Sequence, residues 1–403
     1  MIFSQRILQI KPSATLEINA LANALKAKGY DIIGFGAGEP DFDTPEFIKK
    51  AGIRAIENGK TKYTPTGGID ELKEAIVKKF KKDNDLEYNK ANVIVNCGGK
   101  HSFYNLMQVL LNNDDEVIIT APYWVSYPPM VMLAGGKPVI IEASEENEFK
   151  VTSGIIKKAI TNKTRAIVLN SPSNPTGAVY TMEELKDLAD LLAQYDILVI
   201  SDDIYEALLY DNKKFYNIAN MGEEIKKKTV VLNGVSKPYS MTGWRIGYMA
   251  GDENLIKKVD ILQSQSTSNP ASISQWAALE ALSGDQTVVR EMAKVFERRR
   301  NLIVEKLNSI KGINCKIPGG AFYAFPNISG IFKFNGWKSI IKKYDSKNNS
   351  SLLASYLLEE AKVAVVPGIE FGSDNNIRLS FATSDENITN GIGRIKEAVE
   401  KLI

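Results

Sequence analysis

Residues 165–201 read RAIVLNSPSNPTGAVYTMEELKDLADLLAQYDILVIS, and their pattern decides the fold. Two apolar runs, Arg165–Asn170 and Ile197–Ser201, are rich in Val and Ile and predict buried strands. Between them, Thr181–Tyr195 has the spacing of a helix. It begins with a Thr and, three residues later, Glu184, which is the pattern of a capping box. A strand, a helix and a second strand in this order favour a sheet that is covered by helices.

The same alternation continues on both sides of this stretch. Several of the runs are apolar on both faces, as expected for strands buried between layers. The sequence therefore predicts the α/β class, with a three-layer α/β/α large domain and a mainly parallel sheet. The further strands are predicted at Val93–Cys97, Glu116–Thr120, Pro138–Glu142, Thr229–Asn233 and Ile246–Ala250, and the further helices at Gly68–Lys82 and Lys100–Asn112.

After residue 250 the pattern changes to a smaller α+β domain. We expect a large domain over residues 46–290, and a small domain that joins residues 1–45 to residues 291–403. The elements predicted after residue 250 are long helices at Asn254–Leu282 and Asp285–Ile310, short strands around Ala321–Phe325, Val363–Val366 and Ile377–Phe381, a surface loop at Asp345–Ser351, and a final helix from Asp385.

Composition excludes several classes of protein. The chain has 403 residues, of which 44% are hydrophobic and 24% charged, so it is not a disordered chain. Its net charge is only +2, so there is no bulk attraction to nucleic acid or to a membrane surface. One histidine, His101, and two distant cysteines, Cys97 and Cys315, exclude both a disulfide framework and the usual zinc site. The sequence shows neither a membrane span nor a signal peptide, so we expect a cytosolic protein.

Polar and aromatic side chains follow the predicted strands at their carboxyl ends, where ligands bind in α/β sheets. Each is common in a purely structural role: a glycine turn can be a tight connection, and a lone lysine is usually solvated. Together they supply what pyridoxal phosphate needs: an amine, a carboxylate, a stacking face, hydroxyl partners and a phosphate site. The residues are Gly98, Gly99 and Lys100, then Trp124, then Asn174, then Asp202 and Tyr205, then Ser236, Lys237 and Arg245.

Longer stretches point the same way and run nearly from end to end. In them the sequence resembles the class I aminotransferases of the fold type I pyridoxal-phosphate enzymes, and most closely the bacterial-type aspartate aminotransferases. Some relatives in that branch also accept prephenate. The stretches are KPSAT (11–15), GEPDFDTP (38–45), KYTPTGG (62–68), YWVSY (123–127), 170–180, 201–206, 236–248 and NIRLS (376–380).

The resemblance implies a role for each residue near the cofactor ring. Lys237 is the expected Schiff-base lysine, and Asp202 is expected to pair with the pyridine nitrogen. Tyr205 and Asn174 are expected to bond the ring hydroxyl, and Trp124 to stack on the ring and to contact the substrate. A free lysine has a pKa near ~10.4, so an apolar pocket and nearby cations must lower it before the amine can react at neutral pH.

The resemblance also implies a phosphate site shared between two subunits. The backbone N–H groups of Gly99 and Lys100, together with Ser236 and Arg245, are expected to hold the cofactor phosphate. Tyr63 is expected to reach the phosphate of the neighbouring subunit, which makes the protein a homodimer.

The substrates implied are amino acids and 2-oxo acids. Arg378 is expected to clamp the substrate α-carboxylate as a bidentate fork, with Gly38 and Asn174 adding contacts. Lys100 is expected to meet the distal carboxylate of a dicarboxylic acid; the alternative is a surface lysine, although a helix start is an unfavourable place for a cation. Lys11 belongs to a segment that closes over the substrate in relatives, and we expect it to help bind a second carboxylate, such as that of prephenate, unless it is simply solvated.

The resemblance therefore predicts transfer of the amino group of L-aspartate to 2-oxoglutarate by a ping-pong mechanism, with prephenate as an additional acceptor. Two positions depart from the family pattern: Asp203 stands where Glu is commoner, and Gly234 where some members have a phosphate-binding Ser. We expect Asp203 to face away from the cofactor. The alternatives are an aromatic or alanine aminotransferase, a β-lyase or a related synthase, and, more distantly, a regulator that binds the cofactor without catalysis.

Overall fold

The computed structural model describes residues 2–344 and 346–403. The strands are β1 Ile33–Gly34, β2 Val93–Asn96, β3 Glu116–Ala121, β4 Lys137–Glu142, β5 Thr164–Asn170, β6 Leu198–Asp202, β7 Thr229–Gly234, β8 Gly247–Ala250, β9 Tyr323–Ala324, β10 Val363–Ala364, β11 Val366–Pro367 and β12 Ile377–Ser380. The first helices are α1 Gln5–Leu8, α2 Ala14–Ala27, α3 Glu46–Glu57, α4 Asp70–Asn84, α5 Gly99–Leu110, α6 Tyr127–Leu133, α7 Ser153–Ala159 and α8 Met182–Leu192. They are followed by α9 Glu223–Lys227, α10 Glu253–Ser264, α11 Ser272–Ser283, α12 Thr287–Asn308, α13 Trp337–Lys343, α14 Asn349–Tyr356 and α15 Asp385–Glu400.

A seven-stranded sheet carries the strand ends that the sequence singles out. Its order is β2-β8-β7-β6-β5-β3-β4, and the pairs β3–β4, β3–β5, β5–β6 and β6–β7 are parallel. Only β8 runs against its neighbours β7 and β2. The residues of β2, β7 and β8 are buried on both faces, which explains their continuous apolar runs. The predicted α/β class with a mainly parallel sheet is confirmed.

The predicted strands of this sheet agree with the structure to within one residue at each end. The single long helix predicted over Asn254–Leu282 is wrong, because α10 and α11 are separate helices joined by residues 265–271. Pro270 lies in this connection and lacks the N–H group that a continuous helix requires. The predicted loop at Asp345–Ser351 is too long, because α14 begins at Asn349; Asp345 itself lies outside the described residues.

Two smaller sheets lie outside the large one. Strands β11, β12 and β9 form an antiparallel sheet, and β1 pairs in parallel with β10. One apolar cluster joins residues of α12, α15 and these strands to Tyr205, Leu208 and Tyr210, which follow β6. This cluster brings β12, which carries Arg378, against the end of the large sheet. The domain limits proposed from the sequence stay a prediction. In the described part of the chain no helix is both long and apolar enough to cross a membrane.

Candidate active site

A cavity of about 370 Å³ lies at the carboxyl ends of β5, β6 and β7. All the site residues predicted from the sequence line it, except Gly98, Tyr63 and Lys11. They are Gly38, Gly99, Lys100, Trp124, Asn174, Asp202, Tyr205, Ser236, Lys237, Arg245 and Arg378. The chain thus brings together residues that are up to 340 positions apart (378 less 38), as the collinear motifs predict.

The Lys237 side chain lies just beyond β7 and points into this cavity. Its Nζ atom donates a hydrogen bond to the carbonyl oxygen of Gly38, at 2.6 Å. Burial lowers the pKa of Lys237 to about 8; the carboxylate of Glu39 opposes this shift, and the guanidinium groups of Arg245 and Arg378 add to it. A useful fraction of this amine is therefore uncharged near neutral pH, as a nucleophilic lysine requires.

The carboxylate of Asp202, at the end of β6, is buried and accepts a hydrogen bond from the Tyr127 hydroxyl. The backbone N–H of Ile204 donates a second bond, at 3.3 Å. Burial raises the pKa of Asp202, while the bond from Tyr127 and the charge of Lys237 oppose that rise. No role was predicted for Tyr127 from the sequence, although it closes the YWVSY stretch. Its contact with Asp202 makes it a residue of the site.

Tyr205, on the turn after β6, is also fully buried, and its hydroxyl lies 2.8 Å from that of Tyr323. Burial and the nearby Tyr323 raise the pKa of Tyr205 well above its ordinary value, so both phenols keep their protons at neutral pH. Tyr323 lies on β9, and the sequence did not single it out. Tyr205 and Tyr323 are 118 positions apart in the sequence, so no spacing pattern could have predicted that their hydroxyls meet.

The guanidinium of Arg378, on β12, is held rigidly on the far wall of the cavity. It donates one hydrogen bond to the side-chain oxygen of Asn174, at 3.0 Å, and one to the carbonyl oxygen of Gly36, at 2.8 Å. The rings of Tyr323 and Phe371 lie on it, with centroids 4.5 and 4.9 Å from Cζ. The Arg378 Nε is buried and has no partner within the described residues. A buried cation with an unused donor suits a carboxylate.

The opposite end of the cavity is built to receive an anion. Helix α5 begins at Gly99, so its first N–H groups and the positive end of its dipole face the cavity. Gly98 has a φ of +90°, and a Cβ placed on Gly247 would lie 2.4 Å from the backbone of this turn. The Arg245 guanidinium crosses the turn and donates to the carbonyl oxygens of Thr242, at 2.7 Å, and Cys97, at 3.4 Å.

Lys100 lines the cavity at its mouth and keeps an exposed side chain. Its Nζ lies 5.3 Å from the centroid of the Trp124 ring. Partial burial lowers the pKa of Lys100, and the neighbouring Arg245 lowers it further. The next residue, His101, accepts a hydrogen bond from the N–H of Cys97, at 3.1 Å, and so braces the turn.

Tyr63 and Lys11 do not line the cavity of their own chain. Tyr63 is 92% exposed and stands on the loop between α3 and α4. Lys11 is exposed and lies near Glu370, where burial raises the pKa of the carboxyl group and Lys11 opposes that rise. Two of its neighbours in the same segment, Ser13 and Thr15, do line the cavity.

The two positions that depart from the family pattern are explained by their surroundings. Asp203 does not line the cavity; its carboxylate accepts hydrogen bonds from Ser201, at 2.7 Å, and from Asn217. At Gly234 a Cβ would lie 3.1 Å from both the Ile246 carbonyl oxygen and the Gly247 Cα, so a side chain there would crowd β8.

Comparison with known proteins agrees with this geometry. Residues 30–395 match the model of the family described as aminotransferase class I and II. An aspartate aminotransferase of Bacillus subtilis is 51% identical, with all of both chains covered. An aspartate/prephenate aminotransferase of Nitrosomonas europaea is 50% identical over 98% of this chain and 99% of its own. The crystal structure of an aspartate aminotransferase from Rhizobium meliloti is 42% identical, covers both chains fully and gives a TM-score of 0.95.

Proposed function

This chain belongs to the class I and II aminotransferases, and on that premise we propose that it moves the amino group of L-aspartate to 2-oxoglutarate, giving oxaloacetate and L-glutamate. Relatives that cover the whole chain carry the name aspartate aminotransferase. The observation that carries the proposal is the Lys237 amine, which has a pKa of about 8 and shares one cavity with a buried carboxylate, Asp202, and a buried guanidinium, Arg378.

The residues of the cavity fit pyridoxal phosphate. When bound, this cofactor supplies an aldehyde that condenses with amines and a ring that accepts an electron pair. The N–H groups of Gly99 and Lys100, which have no partner among the residues that the structure describes, suit its phosphate together with Arg245 and Ser236. Asp202 suits the ring nitrogen, because a buried carboxylate gains from a cationic partner. Tyr205 and Asn174, which line the same cavity, would bond the ring hydroxyl, and Trp124 would stack on the ring.

Lys237 has two tasks in this proposal. Its uncharged amine would hold the cofactor through the cofactor's aldehyde. The same amine, when not so engaged, would take the proton from the substrate α-carbon and carry it as an ammonium group. Its low pKa suits both steps, because the same group must lose and regain a proton near neutral pH.

The two carboxylates of the substrate are assigned to two cations. Arg378 binds the α-carboxylate, and Gly38 and Asn174 lie beside it. Lys100 meets the distal carboxylate from the cavity mouth. The aspartate/prephenate relatives favour prephenate as an additional acceptor, with Lys11 on the segment above. An aromatic or alanine aminotransferase is the second candidate, and the absence of a distal carboxylate from those substrates would leave Lys100 without a partner.

We also propose a homodimer in which Tyr63 of one subunit reaches the phosphate of the next, with the cytosol as its location. The side chain of Tyr63 is 92% exposed in the single chain, although it belongs to a stretch that matches the family. A large aromatic ring left in solvent beside an ordered loop is suited to contact with a second copy.

The test is the visible absorption of the purified protein with its cofactor, before and after L-aspartate is added without any keto acid. We expect the cofactor band to convert to the amine form and to return with 2-oxoglutarate. Comparing how fast the band returns with prephenate and with 2-oxoglutarate then ranks the two acceptors. A band that ignores aspartate but responds to alanine or phenylalanine would contradict the dicarboxylate assignment, and no band after cofactor is added would contradict the site.

A further inference from the structure

The phosphate site is assigned to two loops: the glycine turn, Gly98 to Lys100, and the loop that carries Tyr63. A single buried side-chain amide connects these two loops. The side chain of Gln263, on α10, is fully buried. Its oxygen accepts hydrogen bonds from the side-chain amides of Asn96, at 2.7 Å, and Asn105, at 3.2 Å. Its nitrogen donates to the carbonyl oxygens of Thr66, at 2.8 Å, and Val95, at 2.9 Å. Both donors and both acceptor positions of the amide are therefore used.

On one side these bonds lead to the glycine turn. Asn96 ends β2, two residues before Gly98, and its oxygen accepts a hydrogen bond from Ser102 on the first turns of α5, at 2.8 Å. Asn96, Ser102 and Asn105 are all buried. Gln263 thus fixes the strand and the helix that flank the turn, and so sets where the free N–H groups of Gly99 and Lys100 point.

On the other side they lead to the loop that carries Tyr63. Thr66 lies three residues after Tyr63, and the next residue, Gly67, accepts a hydrogen bond from the N–H of Val95, at 2.9 Å. A fully satisfied buried amide is costly to disturb, because removing it leaves several buried partners unpaired. Gln263 therefore fixes the Tyr63 loop against the same strand that leads to the glycine turn.

We propose that Gln263 is a positioning residue for two active sites at once: the phosphate turn of its own subunit, and, through Tyr63, the phosphate site of the partner subunit. This proposal rests on the dimer and cofactor of the proposed function. It assigns to Gln263 a mechanical connection between the two pockets, in addition to a contribution to stability.

The chain contains a matched control in Gln275, on α11. This second fully buried glutamine holds the same loop: its nitrogen donates to the Thr64 hydroxyl, at 3.0 Å, and its oxygen accepts from the N–H of Ile69, at 2.8 Å. None of its hydrogen bonds reaches the glycine turn or its neighbours Asn96 and Ser102. Gln275 therefore acts on the partner's pocket alone.

Hybrid dimers in which only one pocket keeps Lys237, here called the live pocket, separate the effect of Gln263 on its own subunit from its effect on the partner subunit. One subunit carries Lys237→Ala, so only the other keeps the cofactor band. Gln263→Met is placed first in the live subunit and then in the inactive one. The readout is the dissociation constant of pyridoxal phosphate, measured from the band of the live pocket. We expect affinity to fall roughly 3- to 10-fold in each arrangement, the effect of one or two hydrogen bonds.

The control arms give distinct patterns. Gln275→Met should weaken binding only from the inactive subunit, and Ser102→Ala only from the live subunit. If Gln263→Met dimers do not fold, these two variants still test the two halves of the connection. Loss from Gln263→Met in the live subunit alone, or equal loss from Gln275→Met in both positions, would overturn the proposal.

Failure of the dimer itself is recognised separately. Tyr63→Phe in the inactive subunit should raise the dissociation constant of pyridoxal phosphate in the live pocket. If this variant acts only from the live subunit, or from neither, then the shared site of the proposed function is wrong, whatever the glutamine variants show.

Discussion

The hydroxyl group of Tyr127 donates a hydrogen bond to the carboxylate of Asp202, inside the wall of the cavity. Both residues are buried, and the bond lowers the pKa of a carboxyl group that burial otherwise raises. Tyr127, the first residue of helix α6, therefore favours the ionised form of Asp202, the last residue of strand β6, as a partner of the ring nitrogen requires.

The first prediction is that Tyr127→Phe moves the acidic limb of the pH–activity profile to higher pH. Without the bond the pKa of Asp202 rises, so its carboxylate is protonated at a pH where the parent enzyme still has it ionised. A hydrogen bond to a charged group contributes about 1.5–3 kcal/mol, so we expect roughly a 10- to 100-fold loss of kcat on the acidic side. The measurement is kcat against pH with L-aspartate.

Tyr356→Phe is the matched control for this variant. The Tyr356 hydroxyl is also buried and donates to the carbonyl oxygen of Ala398, at 2.8 Å, but it lies outside the cavity. Its removal should lower thermal stability and leave the shape of the pH profile unchanged. Equal profiles for all three proteins would mean that Tyr127 does not act on the ionisation of Asp202.

The second prediction concerns the rate at which pyridoxal phosphate enters the cofactor-free protein. Only the uncharged amine of Lys237 attacks an aldehyde, so the rate should rise with pH and level off above a midpoint near the pKa of about 8. Glu39 raises this pKa, so Glu39→Gln should move the midpoint to lower pH. Stopped-flow absorption at a series of pH values measures both.

Glu46→Gln is the control for the charge change, because the Glu46 carboxylate pairs with Lys49 at 3.0 Å, outside the cavity lining. Its midpoint should match that of the parent. A midpoint near 10.5 in the parent protein would contradict the lowered pKa of Lys237, and Lys237→Ala should give no covalent entry at any pH.

The third prediction is that Tyr205 and Tyr323 act as a unit. Their hydroxyls lie 2.8 Å apart, so either phenylalanine variant breaks the same bond. Each single change should weaken cofactor binding by about 0.5–1.5 kcal/mol, and the double change should cost less than the sum of the two. The measurement is a double-mutant cycle on the cofactor dissociation constant.

Phe371→Leu provides the contrast. The centroid of the Phe371 ring lies 4.9 Å from Cζ of Arg378. Phe371→Leu should therefore raise KM for aspartate, and its effect should add to that of Tyr205→Phe. Full additivity of the two tyrosine changes would show that their contact does not influence cofactor binding.

The sequence predicted the strands and most of the cavity because both are local. Runs such as Thr229–Gly234 are apolar on both faces, and the residue types that follow them carry the chemistry. Tyr323 was missed because its partner lies 118 positions away, and Tyr127 was missed, although it lies in the YWVSY stretch, because its partner lies 75 positions away. The break between α10 and α11 was missed for a different reason: Pro270 is visible in the sequence, but apolar residues at helical spacing stand on both sides of it.

The fourth prediction is that Lys100 selects dicarboxylic substrates. Its ammonium lies 5.3 Å from the centroid of the Trp124 ring, in the cavity that Arg378 also lines. We therefore expect Lys100 to meet the distal carboxylate of a substrate whose other carboxylate Arg378 holds. Lys100→Met removes that cation and keeps most of the side chain. We expect kcat/KM for aspartate to fall roughly 10- to 100-fold, the value of a charge-assisted hydrogen bond, while kcat/KM for phenylalanine changes little or rises. Lys11→Met is the control: Lys11 lies outside the cavity lining, so the aspartate value should stay within about twofold. If Lys100→Met lowers kcat/KM equally for aspartate and phenylalanine, Lys100 would instead be assigned to the cofactor phosphate, since both substrates depend equally on the bound cofactor.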